Sequence, residues 1–244
     1  MLTAYFDASG NPNEHVLVVA GFVSSTTDWI SFESEWKARL DKDHIGYFRM
    51  SEFAHSTGEF RLWKGLEDKR QSLLSDLLAI IQKHVYRKFG AAVVNSQLSA
   101  TIAKAEQDAF SLAAYGVAGR GAASNVIEWL KKEKWESPVE YVFEKGDMDQ
   151  DHLTRLMKED GLPDPIFRPK VDQVNKTSGL PEKGFIPLQA ADILAYEYAM
   201  IIKRNSKGVD YQSRWPYLQL EKIPGEIGKF SWTDLARIKR EFVG

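Results

Sequence analysis

Three acids far apart in the chain have surroundings that chemistry can use. Asp7 closes the apolar run at residues 2–6, Glu144 closes the run at 139–143, and Asp192 lies early in LQAADILAYEYAMIIK, residues 188–203. That last segment otherwise reads as buried, and a buried carboxylate must be paired or bound to metal. Gln189 and Asp192 are three apart and Tyr196 is four further on, so on a helix all three share a face. Magnesium and manganese take hard carboxylate oxygens, so Asp7, Glu144 and Asp192 form a suitable ligand set for Mg2+ or Mn2+. Ser9 and Asp147, just beyond the two apolar runs, and Gln189 are candidate supporting residues.

Composition narrows the alternatives. The chain of 244 residues has no cysteine, which excludes a disulfide framework, a thiolate zinc site and a cysteine nucleophile. Its five histidines show no HExxH spacing. A net charge of −2 provides no global basic footprint, so any contact with nucleic acid must use a local patch. No secretory leader and no apolar run of membrane-spanning length is present, which points to a cytoplasmic protein with no membrane partner. The acids from Asp147 to Asp151 begin like a calcium loop, but His152 stands where glycine is required, and they suit a helix N-terminus better. Gly225, Gly228 and Lys229 lack the spacing of a phosphate loop.

The elements that must position these acids follow from periodicity. Residues 2–6 and 15–24 read as a hairpin around the turn formers 7–13. Asp28 can cap a helix carrying Trp29, Phe32, Trp36 and Leu40, and another amphipathic helix carries Leu73, Leu77 and Ile81, with an irregular stretch at 44–65 between them. Residues 88–95 give a third strand. A long helical region, broken near glycines 116, 119 and 121, reaches Trp135. Strand 139–143, a helix from Asp149 to Glu159, a weaker strand at 166–171 and helix 188–203 complete the core. A loop and a short basic helix at 233–242 follow within a C-terminal extension, 205–244. With residues 26–85 set aside as a helical insertion between the second and third strands, the order is three strands followed by alternating helices and strands. That is the order of an RNase H-like α/β domain with a mixed sheet, predicted here as one domain over 1–244. Ligands in such sheets gather at strand C-terminal ends.

The runs YFDASG at residues 5–10, YFRMSEF at 47–53 and LQAADILAYE at 188–197 resemble the DUF3800 family, grouped with RNase H-like nucleases, over nearly the whole chain. The pairing of LQAAD with the N-terminal D-x-S-G is the specific part. The family usually has Glu after the first Asp, where this chain has Ala8, and often His where it has Arg49.

The expected function is a metal-dependent nuclease in which two carboxylate-held ions hydrolyse the phosphodiester of DNA or RNA, with Asp7 bridging and Glu144 and Asp192 flanking. Arg49, His55, Arg61 and Lys64 are the expected substrate-binding residues. A second basic and aromatic region, from Lys203 through Lys207, Tyr211, Arg214 and Tyr217 to Arg237, Lys239 and Arg240, has the composition of a strand-gripping surface. The alternative, favoured by Ala8, is a catalytically silent RNase H-like module that binds nucleic acid or protein.

Overall fold

The computed structural model describes residues 1–206 and 213–244. Strands β1 (Leu2–Ser9) and β2 (Val16–Ser25) pair antiparallel. Their turn contains Gly10 at φ +97°, where a Cβ would lie 2.1 Å from the Val16 carbonyl oxygen, so the tight return needs glycine. Three helices, α1 (Thr26–Asp41), α2 (Met50–His55) and α3 (Glu67–His84), lead to β3 (Arg87–Val94), which pairs antiparallel with β2. Then come α4 (Asn95–Thr101), α5 (Lys104–Ala109), α6 (Ala114–Lys132) and β4 (Val139–Glu144), the last parallel to β1. Helix α7 (Gln150–Glu159) precedes β5 (Ile166–Arg168), parallel to β4. A small hairpin, β6 (Gln173–Val174) with β7 (Pro181–Glu182), precedes α8 (Pro187–Asn205). The chain ends with α9 (Trp215–Glu221), β8 (Gly225–Lys229) and α10 (Trp232–Phe242). The mixed six-stranded sheet has the order β5-β4-β1-β2-β3-β8.

Side chains alternate across a strand, and here they divide the core in two. Tyr5, Val18, Ala20 and Phe22 face a layer containing Trp29, Trp36, Leu77, Ile193 and Leu194 from α1, α3 and α8. Phe6, Val19, Phe89 and Phe143 face Tyr115, Val126, Leu153 and Leu235 from α6, α7 and α10. Both faces of the central strands β1 to β4 are thus largely buried, and these strands are rich in apolar residues, whereas the edge strands β5 and β8 are more exposed.

Several expectations need correction. Ser25, not Asp28, caps α1: its Oγ accepts from the Asp28 backbone N–H at 3.1 Å. The stretch at 44–65 is not wholly irregular, since it holds α2 and a 3-10 turn, Gly58–Trp63, whose Phe60 and Trp63 are buried. Residues 95–135 fold as three helices, and α6 runs unbroken through the three glycines. Gly116 sits where a Cβ would come within 3.0 Å of His152 Cβ and 3.1 Å of the Ser111 carbonyl oxygen, so its lack of a side chain permits close approach of α7 rather than a break. In the tail, Gly225–Lys229 forms strand β8, parallel to β3. No helix among the described residues is long and apolar enough to cross a membrane.

Replacing Gly116 by Val should overpack the α6–α7 contact and cost about 1–3 kcal/mol. A urea denaturation midpoint unchanged from wild type would show that the two helices tolerate the volume.

Candidate functional site

Strand parity places the acids. Phe6 pairs with Phe143 in the parallel β1–β4 register, so Asp7 and Glu144 are the next neighbours. Both point to the α8 face, the side of Tyr5 and Val142. Glu144 pairs in turn with Arg168 of β5, and Pro169 ends that strand. Lys170, two residues beyond Arg168, continues on the same face. Helix α8 covers this face, and its Asp192 reaches the same point.

The geometry is centred on Lys170. Its Nζ donates to Asp7 Oδ2 at 2.5 Å and lies 3.1 Å from both Glu144 Oε2 and Asp192 Oδ1. Each acid's other oxygen is turned elsewhere. Asp7 Oδ1 accepts from the Ala8 N–H at 2.7 Å, Asp192 Oδ2 accepts from the Met50 N–H at 2.5 Å, and Glu144 Oε1 lies 4.0 Å from Arg49 Nη2. Asp7 is 1% exposed, Lys170 5% and Asp192 8%. Asp147, on the turn after β4, brings a fourth carboxylate: Asp7, Glu144 and Asp147 each offer an oxygen within 4.8 Å of the others.

Gln189 holds the surrounding walls together. Its Oε1 accepts from Trp36 Nε1 at 3.0 Å and from the Phe48 N–H at 2.9 Å, while its Nε2 donates to the Lys170 carbonyl at 3.2 Å. One amide therefore joins α8 to α1, to the segment before α2 and to the lysine loop. A cleft of about 560 Å³ borders this amide and Lys170, with Glu33, Lys37, Tyr47 and Lys183 among its lining residues.

The electrostatics follow from burial. Desolvation pushes the Asp7 carboxyl well above the ordinary range, with Lys170 opposing and Glu144 adding. Desolvation also raises Asp192, and it lifts Asp147 to about 7 with help from Asp7. Burial alone disfavours the Lys170 ammonium, but Asp192, Asp7 and Glu144 outweigh it and the net shift is upward. Asp7, Asp147, Asp192 and Lys170 all shift upward, the three aspartates through desolvation and the lysine through its neighbouring carboxylates.

Asp7, Glu144, Asp192, Gln189 and Asp147 are thus brought together, with Arg49 at the wall. Ser9 is half-buried at the end of β1 and joins none of the hydrogen bonds of the centre described above. His55, Arg61 and Lys64 are exposed on the surface of the segment between α1 and α3. Tyr196 does not join the acids: the Arg214 guanidinium lies 6.0 Å from its ring centre. Ala8 packs into the core on the opposite, α6 face. Of the C-terminal cations, Lys203 pairs with Glu14, Arg214 with Glu197 at 3.4 Å, Arg237 with Asp234 at 3.3 Å and Lys239 with Glu106 at 3.1 Å, so these are committed within the chain. Lys207 and Tyr211 lie outside the described residues. Lys170 is the member of this charged cluster that motif reasoning does not single out. Its signal was the continuation of strand parity from Ile166 and Arg168.

The donor set suits Mg2+ or Mn2+. All the ligand atoms are hard oxygens, and four carboxylates face two cations, Lys170 and Arg49, an excess of two negative charges when all are ionised. Asp147 Oδ2 is buried without a hydrogen-bond partner, a costly state that a cation would relieve.

Gln189→Leu removes the acceptor for two buried donors, the Trp36 indole and the Phe48 amide. It should lower unfolding free energy by about 2–6 kcal/mol, at roughly 1–3 per orphaned group. An unfolding free energy equal to that of wild type would show that water replaces the amide. No protein-family model matches the sequence, and no curated protein matches it, so the chemistry of the centre is read from its own residues.

Proposed function

We propose that the chain is a metal-dependent nuclease with an RNase H-like fold, hydrolysing the phosphodiester of nucleic acid with Mg2+ or Mn2+ held by Asp7, Glu144 and Asp192. The observation that carries this reading is the convergence of one oxygen from each acid on a single cation at the ends of β1 and β4, beneath α8. The fold supports it. Three antiparallel strands, β1 to β3, are extended in parallel by β4 and β5, and α1 to α3 stand as an insertion between β2 and β3. The resemblance of YFDASG and LQAAD to the DUF3800 family agrees with the same assignment.

A divalent ion in this centre supplies polarisation of a phosphoryl oxygen and neutralises charge on the leaving oxygen. The chain's own residues provide the rest. Asp7, Glu144 and Asp192 would hold the ion through the oxygens they turn toward one another, and Asp147 would add a fourth carboxylate oxygen. The Ala8 and Met50 amides fix the outer oxygens of Asp7 and Asp192, so that the inner ones stay aimed at the centre. The partly exposed Arg49 guanidinium beside Glu144 would contact a phosphate, and the exposed Arg61 and Lys64 are further candidates for such contacts. The position of Ala8 on the far face supports activity, because the glutamate usual there in the family would not point at these acids.

The second reading is a non-catalytic RNase H-like binding module. The Lys170 ammonium favours it, since it partners all three acids without any metal.

Incubation with single- and double-stranded DNA and RNA in Mn2+ should show cleavage that chelator abolishes. Asp7→Asn and Asp192→Asn should each lose it while retaining the native circular dichroism spectrum. Cleavage that persists in both variants eliminates the proposed centre, and absence of cleavage with intact nucleic-acid binding selects the module. In a separate binding measurement, Arg61→Ala with Lys64→Ala should weaken affinity on every substrate and make its salt dependence shallower by roughly one unit of slope for each phosphate no longer neutralised. An unchanged slope would remove the 58–64 turn from the binding surface.

A further inference from the structure

We propose that Lys170 is the positioning residue of the carboxylate centre: its ammonium holds the three acids in place while no metal is bound, and it withdraws when a divalent cation enters. This inference rests on the metal reading above. An ammonium has three protons, and Lys170 Nζ has three carboxylate oxygens at 2.5–3.1 Å, one from each of Asp7, Glu144 and Asp192. Those are the inner oxygens that the proposed ion would use. A cation bound to them at about 2.0–2.6 Å cannot share the point with a second positive charge. The lysine and the metal are therefore competitors for one site.

The loop is built so that the side chain can leave while the backbone stays. Gln189 Nε2 holds the Lys170 carbonyl at 3.2 Å, the Phe185 N–H donates to the Pro169 carbonyl at 2.8 Å, and the Gly184 N–H donates to Asp172 Oδ1 at 2.7 Å. Beyond Cα the lysine is a flexible four-carbon stem. Lys170 also lines the cleft of about 560 Å³, whose wall carries the carboxylates of Glu33, Asp41 and Asp172 together with Lys37 and Lys183, so that a displaced ammonium would find acceptors there.

The test compares wild type and Lys170→Met by calorimetric titration with Mn2+ and by thermal melting in chelator. With the competing charge removed, Lys170→Met should bind Mn2+ roughly tenfold or more tightly than wild type. It should also melt at a lower temperature in chelator, because three carboxylates are left facing one another. Mn2+ affinity equal to or weaker than wild type would overturn the role of Lys170 and leave the metal centre standing. Failure of both proteins to bind Mn2+ would overturn this inference and the metal reading together. Should Lys170→Met not fold, the wild-type protein still decides the question through labelling with an amine-acetylating reagent and peptide mass spectrometry. Lys170 should be protected in chelator and labelled several-fold faster in Mn2+, and equal labelling in the two conditions would overturn the proposal.

Discussion

Burying an ionised carboxylate without a partner costs several kcal/mol, and this protein withdraws Asp7 and Asp192 from water almost completely, with Glu144 and Asp147 beside them. The architecture around the end of β1 answers that constraint. The parallel register places Glu144 next to Asp7, the segment after β5 brings the Lys170 ammonium to both, and backbone amides hold the outer oxygens of Asp7 and Asp192. Charge of this density inside a core is weak evidence for stability and stronger evidence for use, because an apolar cluster of the same volume would pack without such demands.

The layer above the centre is held by aromatic packing. Trp29 meets Tyr5 edge-on, Phe32 links Trp29 to Trp36, and Phe48 carries the packing on to Phe53 and Phe60. This chain of rings runs from the sheet into the segment between β2 and β3, so that segment belongs to the same core as α8. Gln189 satisfies the indole of Trp36 within it, making one polar side chain on α8 the point where the apolar layer and the charged centre meet.

Much of this was legible in the sequence. The two strand-end acids and the acid inside an apolar helix were identifiable because carboxylates in such places need a reason, and Gln189 followed from sharing a face with Asp192. Lys170 was not, because a search for ligands looks for acids, while the cation that satisfies them carries no motif. Strand β8 was hidden for a different reason: Gly225 and Gly228 have poor strand propensity, and only the open edge of β3 recruits them. The glycines of α6 read as breakers when taken locally, whereas their meaning is tertiary, in the closeness of α7 at Gly116 and Gly119 and of Ala91 and Phe230 at Gly121. His55, Arg61 and Lys64 are named by residue type and by their place beside YFRMSEF in the segment between the second and third strands, and neither tells how far an exposed side chain lies from a buried one.

The grip of the β2–β3 segment on α8 has a bearing on how this surface can change over generations. Asp192 and Gln189 hold it through the amides of Met50 and Phe48, groups that nearly every residue type possesses. Substitution at Tyr47 or Arg49 therefore leaves those two bonds available, since neither depends on which side chain stands there. Heritable variation can accumulate at the rim of the centre while its frame persists, which gives one scaffold the means to diverge in what it recognises without first losing its shape.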